Sequence, residues 1–458
     1  MTDQRARAVE HARANYLQSI DELKDLLRIP SVSSDPVRRP DMERAAEWVA
    51  SNLRALGMSG VKVYRTAGHP VIYGELKSSR TNAPVVLVYG HYDVQPPDPL
   101  ELWESGAFEP EIREDNLFAR GSADMKGQVM ASLKALESIL HTGESPVNIK
   151  MLIEGEEEIG SPNLGAFIAD QKILLASDLA LNPDTGMLAP DLPTITYALR
   201  GLAYFELRLF GPDHDLHSGL FGGVVHNPAQ ALAELIAGMH DEQGRVTLPG
   251  FYDKVRPLDA EERSELARLP MDEEFFLEKT GAPALWGEAG YSPVERVGAR
   301  PTLEVNGMSS GFTGEGPKTV LPSWAMAKIS TRLVPDQDPE EVYRQLQEYL
   351  EESAPDTVRF KLVKMVGGPA VVSDRNSTGI KAMQKAMESV WGKPPVFRRE
   401  GGSVPAVLLL KNILGIESIN CGFSLPDDNA HSPNEKLHLP TWKRGIESLI
   451  HFFYNLGQ

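Results

Sequence analysis

The chain has 458 residues, 41 % of them hydrophobic, which is enough for two to four domains with substantial cores. Its formal net charge of −18 argues against a nucleic-acid partner, because the attraction to phosphates would have the wrong sign. No apolar run approaches the roughly 20 residues that cross a bilayer, the N-terminus lacks a secretory apolar core, and the single cysteine, Cys421, cannot form an internal disulfide, so we expect a cytoplasmic protein without a membrane partner.

Helical and strand-like patterns alternate over the first 200 residues. Residues 42–57 and 129–140 carry apolar side chains at helical spacing. Short apolar runs that are typical of buried strands lie around them, at 71–76, 84–89, 147–153 and 178–181. This alternation predicts an α/β fold, with a mostly parallel sheet covered by helices on both faces. Ligands of such sheets bind beyond the carboxyl ends of the strands.

The pattern changes near residue 200. Strand-like alternation and amphipathic helices then follow each other in a one-sided arrangement, at 205–209, 228–239, 324–333, 338–352 and 358–365. The helix–strand alternation of the first part resumes near residue 378. We therefore predict one domain formed by residues 1–200 and 369–458, with an α+β domain inserted at 201–368. The charged stretch 250–298 is expected to be an irregular elaboration of the insert.

Acidic and imidazole side chains follow several of the predicted buried strands. His91 comes after the second run, Glu156 to Glu158 after the third and Asp184 after the fourth, while Asp124 lies between two glycines. These side chains should converge at one edge of the sheet and suit divalent cations. A two-ion site also needs a shared carboxylate and terminal ligands. The best candidate for a second histidine is His431, which follows the run 413–419.

Each of these residues has a plainer interpretation. A lone His91 would more often be structural, but Asp93 two residues later favours a ligand with an orienting carboxylate, because ligating imidazoles usually donate their other N–H. The acidic run could be a solvated turn or a helix N-terminus. Asp124 could be a turn residue. Spacing alone does not choose among Glu156, Glu157 and Glu158.

Taken together, the motifs resemble one family over nearly the whole chain. The blocks run from Ile29-Pro30-Ser31-Val32-Ser33 to Ser432-Pro433-Asn434-Glu435. They are similar to the co-catalytic zinc or manganese metallopeptidases, which include cytosolic nonspecific dipeptidase, carnosinase, glutamate carboxypeptidase, aminoacylase and acetylornithine deacetylase. Three blocks look most like the dipeptidase branch, namely residues 154–161, 215–219 and 399–405.

The resemblance implies two divalent ions per subunit, with zinc or manganese ahead of cobalt. Their protein ligands would be His91, Asp124 and Asp184 for one ion, and Asp124, Glu158 and His431 for the other. Asp93 would orient His91, and Glu157 would be the general base. The family also implies a cis peptide bond between Asp124 and Met125.

The insert would act as a lid and dimerisation domain in this family. His217, in Asp215-Leu216-His217-Ser218-Gly219, is similar to a histidine that stabilises the reaction oxyanion from the partner subunit. Thr319, Arg332 and Ser403 match positions that hold the terminal carboxylate of the substrate, a role that suits arginine's planar fork. The resemblance therefore implies a homodimer.

The function implied is hydrolysis of dipeptides through a metal-bridging water activated by Glu157. An N-acyl-amino-acid deacylase is the alternative, because Asp124-Met125-Lys126-Gly127 resembles the deacylase branches. A non-catalytic metal-binding protein is disfavoured, since the base, the ligands and His217 are all present. Asn429 stands where the family usually has glycine, which could alter the turn before His431.

Overall fold

The computed structural model describes residues 2–402 and 404–458, so the predicted substrate residue Ser403 lies outside the described residues. The strands, numbered in chain order, are β1 (Ser59–Tyr64), β2 (Val71–Leu76), β3 (Val85–His91), β4 (Glu111–Arg113), β5 (Asn116–Phe118), β6 (Asn148–Glu154), β7 (Leu179–Asn182), β8 (Thr194–Leu199), β9 (Gly201–Phe210), β10 (Leu216–His217), β11 (Thr302–Ser310), β12 (Val320–Leu321), β13 (Trp324–Leu333), β14 (Arg359–Gly368), β15 (Val371–Val372), β16 (Val396–Glu400), β17 (Ser418–Asn420) and β18 (Lys436–His438).

The α-helices are α1 (Thr2–Ala14), α2 (Tyr16–Leu27), α3 (Arg39–Ala55), α4 (Lys126–Thr142), α5 (Leu164–Asp170), α6 (Lys172–Leu175), α7 (Ser218–Phe221), α8 (Pro228–Gly238), α9 (Ala260–Leu266), α10 (Glu273–Thr280), α11 (Pro293–Ala299), α12 (Pro339–Ser353), α13 (Thr378–Trp391), α14 (Pro405–Leu409) and α15 (Leu439–Leu456). A short 3₁₀ turn, Glu157–Ile159, follows β6, and a five-residue π-helical stretch, Leu410–Leu414, follows α14.

The described residues form two compact units. The first contains residues 2–197, 373–398 and 404–458, and the second contains 198–372 and 399–402. The chain thus changes units at 197/198 and 372/373, close to the predicted boundaries of 200/201 and 368/369. Residues 399–402 group with the second unit, although the prediction placed them in the first. A catalytic role for one unit and a lid role for the other remain predictions.

The first unit is built on a mainly parallel sheet with the order β1-β2-β6-β3-β7-β17-β8. Its central strands β6, β3, β7 and β17 pair in parallel. Side chains alternate along β3, so that Val86 and Val88 join a core with α3, α4, α13 and α15, while Leu87 and Tyr89 join a second core with α5. Both faces of the sheet are therefore covered, and the predicted α/β class is confirmed.

The second unit contains a four-stranded antiparallel sheet with the order β11-β13-β9-β14. Phe205, Leu207 and Leu209 of β9 point to one face and form a core with residues of α8 and α12. The other face carries the intervening polar residues, as the one-sided sequence pattern predicts. The stretch 250–298, expected to be irregular, contains the short helices α9, α10 and α11.

Candidate metal centre

The predicted ligands of the first unit meet at the carboxyl edge of the parallel strands. β3 ends at His91, β6 ends at Glu154 just before the 3₁₀ turn, and β7 ends two residues before Asp184. Ligand-type atoms of His91, Asp124 and Glu158 all lie within 4.8 Å of one another, and so do those of His91, Glu157 and Asp184. The parallel sheet thus gathers residues that are far apart in the sequence, as the topology predicts.

His91 is fully buried and is held by Asp93, two residues later in the chain. Its Nδ1 lies 3.0 Å from the carbonyl oxygen of Asp93 and 3.4 Å from Asp93 Oδ1. When Nδ1 carries the proton and donates to Asp93, the other nitrogen, Nε2, is left to face the cluster. The Asp93 carboxylate also accepts hydrogen bonds from the backbone N–H groups of Glu157 and Glu158, at 3.3 and 3.1 Å. Asp93 therefore positions both the histidine and the acidic turn.

The two carboxylate oxygens of Asp124 approach two different histidines. Oδ1 lies 3.2 Å from His91 Nε2, which is itself 3.9 Å from Asp184 Oδ1. Oδ2 lies 2.9 Å from His431 Nε2, which is 3.1 Å from Glu158 Oε2. A carboxylate with one oxygen in each of two such groups has the geometry of a bridging ligand. The expected cis peptide bond between Asp124 and Met125 is present.

Glu435 holds the backbone around Asp124, a role that we did not predict. Its carboxylate is fully buried, and its Oε1 accepts hydrogen bonds from the N–H groups of Ala123 and Asp124, at 2.9 and 3.0 Å. Its Oε2 accepts from Gly121 N–H and from buried Arg120, at 2.8 and 2.7 Å. The available sequence signal was the position of Glu435 at the end of the His431 motif.

The four glutamates of the acidic run make different contacts. Glu154 Oε1 accepts hydrogen bonds from Tyr89 and Ser161, and the Glu156 carboxylate accepts them from His69 N–H and from the Asn163 amide. Glu156 is therefore engaged away from the cluster. Glu158 also accepts a hydrogen bond from Gln95, at 2.9 Å, a second contact that sequence reasoning missed. Glu157 and Glu158 are the two members that face the other ligands.

The electrostatics of the cluster favour a bound cation. Burial raises the pKa of Glu157 to about 9; the charges of Asp184, Asp124 and Glu158 add to this effect and His91 opposes it. Burial likewise raises the pKa of Asp184 to about 7, with His91 opposing and Asp124 and Glu158 adding to the shift. Several carboxylates that repel one another in a buried site are compensated by divalent ions. The oxygen and imidazole donors fit zinc, manganese or cobalt.

The turn that carries His431 accommodates the departure at Asn429. Asn429 has φ 54° and His431 has φ 63°, both in the left-handed region. Asparagine enters this region more readily than most residues other than glycine, so the usual glycine is not required here. A histidine with positive φ is less common and marks a site that the surrounding structure holds in place.

The remaining predicted residues lie in the second unit. β10, which ends at His217, pairs with β12, and Ser218 N–H donates to the Thr319 carbonyl oxygen at 3.0 Å, so His217 and Thr319 are neighbours. His217 is exposed, and its Nδ1 accepts a hydrogen bond from Gly219 N–H. Arg332 lies near the opposite end of β13, eight residues after Trp324. Along an extended strand this is about 26 Å.

A parallel sheet with a histidine–carboxylate cluster at its carboxyl edge is typical of a metal-dependent hydrolase, which is the class of protein indicated here. The chain belongs to peptidase family M20/M25/M40, whose sequence profile matches residues 87–455. The resemblance to metallopeptidases is thereby confirmed.

Relatives of similar length support the same family. The Cys-Gly metallodipeptidase DUG1 of Candida albicans is 31 % identical, with 96 % of this chain and 94 % of that protein covered. The human Beta-Ala-His dipeptidase is 29 % identical, with 96 % and 90 % covered. The crystal structure of the M20 family metallo-carboxypeptidase Sso-CP2 from Sulfolobus solfataricus superimposes with a TM-score of 0.85 and 33 % identity, over 96 % of this chain and 99 % of that one.

None of the helices within the described residues combines the length and the apolar character that a bilayer crossing needs.

Proposed function

We propose that this protein hydrolyses dipeptides with two divalent metal ions. The observation that carries the proposal is that one carboxylate oxygen of Asp124 approaches His91 and the other approaches His431. The carboxylate of Glu157 lies in the same cluster. The names of the relatives support a dipeptide as substrate, since two of them are dipeptidases.

The proposed ligand sets follow the contact distances. One ion would be held by His91, Asp124 and Asp184, and the other by Asp124, Glu158 and His431. When bound, the ions supply a lowered pKa for water and polarisation of the scissile carbonyl group. Zinc and manganese are the proposed metals and cobalt is the alternative, since all three accept carboxylate and imidazole ligands.

Glu157 is the proposed proton carrier of the reaction. It lies within ligand distance of the cluster but belongs to neither proposed ligand set. In our proposal its carboxylate takes a proton from the attacking water and later returns it to the amine that leaves. The Asp93 carboxylate keeps Glu157 in place because it accepts a hydrogen bond from the backbone N–H of Glu157.

The proposed substrate contacts within the described residues come from the second unit, and Ser403 lies outside those residues. Arg332, with Thr319 and Ser403, would bind the free carboxylate of the dipeptide, and His217 would stabilise the oxyanion. β13 extends about 26 Å from Trp324 to Arg332, and His217 and Thr319 lie beside β12, which precedes the Trp324 end, whereas a dipeptide spans about 7 Å. In our proposal Arg332 reaches the dipeptide from one subunit and His217 and Thr319 from the other, which favours a homodimer with His217 and Thr319 acting on the partner's site.

We also propose a cytoplasmic location. Its support is the single cysteine, Cys421, which is buried and unpaired and therefore leaves the chain without an internal disulfide. Fractionation of the source cells with antibody detection would test it, and recovery of the protein only outside the cytoplasm would contradict it.

The test is turnover by the metal-loaded protein of a panel containing Ala-Ala-type dipeptides and N-acetyl or N-succinyl amino acids. We expect the dipeptides to be preferred, and we expect Glu157→Gln to lose about 10²- to 10⁴-fold in kcat. Glu156→Gln is the matched control, because Glu156 contacts His69 and Asn163 rather than the cluster. Preference for the N-acyl compounds would make the chain a deacylase, and full activity of Glu157→Gln would overturn the proposed mechanism.

A further inference from the structure

The second unit contains a cavity of about 380 Å³ at the end of β13 that carries Arg332. Strand pairing places Thr302 opposite Arg332 and Glu304 opposite Ser330, so these four side chains share the sheet face turned away from the α8–α12 core. All four line the cavity. The volume is within the range of small-molecule sites, about 300–1,000 Å³.

The lining of this cavity is rich in arginine. It includes Arg200, Arg296, Arg300 and Arg332, against the two acids Glu288 and Glu304. Arg300 and Glu288 neutralise each other, because Nε and Nη2 of the arginine donate to the two carboxylate oxygens at 2.7 and 2.8 Å. The remaining lining residues carry a positive excess that suits an anionic ligand.

Arg200 fixes the wall of the cavity that carries Arg296 and Arg300. Its guanidinium donates to the carbonyl oxygens of Gly401, Arg296 and Arg300, at 3.1, 3.5 and 3.4 Å. Burial and then the charge of Arg332 lower the pKa of Arg200 to about 10, while nearby glutamates oppose the shift. A bound anion would offset the repulsion between these two guanidinium groups in a partly buried cavity.

Arg296 is the arginine best placed to receive a further charge. It belongs to α11 and lines the cavity, and its Nε donates to the carbonyl oxygen of Glu288 at 2.9 Å. Within residues 2–402 and 404–458 it forms no ion pair with a carboxylate. Its guanidinium therefore has donors that no described acid neutralises, and a planar fork of this kind suits a carboxylate.

We propose that this cavity selects dipeptides with an acidic C-terminal residue, whose side-chain carboxylate binds Arg296 while the terminal carboxylate binds Arg332. The assignment of the terminal carboxylate rests on the proposed function, and the role of Arg296 is the new element. Aspartate or glutamate at the C-terminal position supplies two carboxylates, one for each of the two arginines. Arg296 is thus a specificity-determining residue.

The kinetic test compares kcat/KM for Ala-Glu, its uncharged isostere Ala-Gln, and Ala-Ala. We expect Ala-Glu to be preferred over Ala-Gln by about tenfold or more, the effect of one charge-assisted hydrogen bond. Arg296→Gln should remove this preference, and Arg296→Lys, which keeps the charge, should retain part of it. Arg208→Gln removes the same charge from an exposed position on β9, outside the cavity lining, and should leave the ratio unchanged.

A binding measurement separates failure of this inference from failure of the proposed function. Calorimetry on the metal-free full chain should show that L-glutamate binds more tightly than L-glutamine, and that Arg296→Gln removes the difference. If dipeptides are hydrolysed but Ala-Glu and Ala-Gln are equal substrates, the inference is overturned and the proposed function stands. If no dipeptide is hydrolysed, the proposed function fails. In that case, tighter binding of L-glutamate that is lost in Arg296→Gln would identify the cavity as a site for free acidic amino acids. Equal binding of L-glutamate and L-glutamine would overturn the inference about Arg296.

Discussion

At the scale of single residues, the candidate centre depends on carboxylates that do not themselves face the cluster. Asp93 accepts hydrogen bonds from the backbone N–H groups of Glu157 and Glu158, and Glu435 accepts them from those of Ala123 and Asp124. Both are fully buried. Outer partners of this kind orient ligands and tune metal affinity.

The first prediction concerns Glu435. Glu435→Gln replaces an oxygen that accepts two backbone hydrogen bonds, so we expect the Asp124 loop to shift and metal affinity to fall by about 10- to 100-fold. Metal titration followed by the visible spectrum of the cobalt form measures this directly. Asp428→Asn is the matched control, because Asp428 is as buried but accepts from Leu425 N–H and Lys436. Equal loss in both variants would indicate general destabilisation and would contradict a specific role for Glu435.

The sequence was sufficient for residues whose chemistry is visible from their type and motif, but not for residues that act through the backbone. His91, Asp124 and Glu158 could be proposed from their position after apolar runs. Glu435 could not, because its partners are N–H groups more than 300 positions away in the sequence. No side-chain pattern records such a contact.

At the scale of elements, the end of β6 carries a buried acid outside the cluster. Glu154 Oε1 accepts hydrogen bonds from Tyr89 and Ser161, while Oε2 has no partner among the described residues. Burial, followed by the charge of Asp93, raises the pKa of Glu154 from 4.5 to about 8. The folded state therefore favours the neutral acid.

The second prediction follows from that pKa. Between pH 4.5 and about 8 the folded state keeps a proton on Glu154 that the unfolded state has lost, so this group's contribution to stability falls as the pH rises, by at most about 1.4 kcal/mol per pH unit. Glu154→Gln, which stays neutral, should lack this decline. Urea unfolding of both metal-free proteins from pH 5 to 8 measures it, and parallel stability curves would contradict the assignment.

The third prediction concerns the contact between α15 and α4. Trp442 of α15 is fully buried, and its Nε1 donates to the carbonyl oxygen of Gly127 in α4 at 2.7 Å. We expect Trp442→Ala to lower the free energy of unfolding by about 3–5 kcal/mol, and Trp442→Phe, which keeps most of the apolar surface, to lower it by less. Urea unfolding checks the order, and an effect below about 0.5 kcal/mol for Trp442→Ala would be inconsistent with this packing.

Predicted elements match the structure where the apolar pattern is long or periodic. The runs 71–76 and 324–333 coincide with β2 and β13. The run 413–419 was less accurate, because residues 413–414 end the π-helical stretch and the strand begins only at Ser418. A short apolar run packs equally well as a buried helix or a strand, so periodicity could not separate them. The charged stretch 250–298 has too little apolar periodicity to predict its three short helices.

At the scale of the whole molecule, we propose that two subunits share each site. The support for this arrangement is that Arg332 lies near one end of β13, whereas His217 lies beside β12, which precedes the opposite end. In a symmetric dimer, each subunit would supply its His217 to the site of the other subunit.

The fourth prediction uses that symmetry. Glu157→Gln and His217→Ala chains should each be nearly inactive alone. After mixing and reassembly, half of the dimers combine one chain of each type, and each such dimer has one intact site, so about one quarter of wild-type activity should return. Size-exclusion chromatography confirms the dimer. No recovery in verified mixed dimers would place His217 on its own subunit's site.

The central claim is that the cluster at the edge of the sheet performs metal-dependent dipeptide hydrolysis, and metal reconstitution tests it most directly. The chain is stripped with a chelator, and Ala-Ala hydrolysis is followed while zinc, manganese or cobalt is added back. We predict negligible activity without metal and full activity at about two ions per chain, with no recovery in Asp124→Ala, which lacks the shared carboxylate. Undiminished hydrolysis by the stripped protein, or tight binding of two ions without turnover of any dipeptide, would contradict the claim.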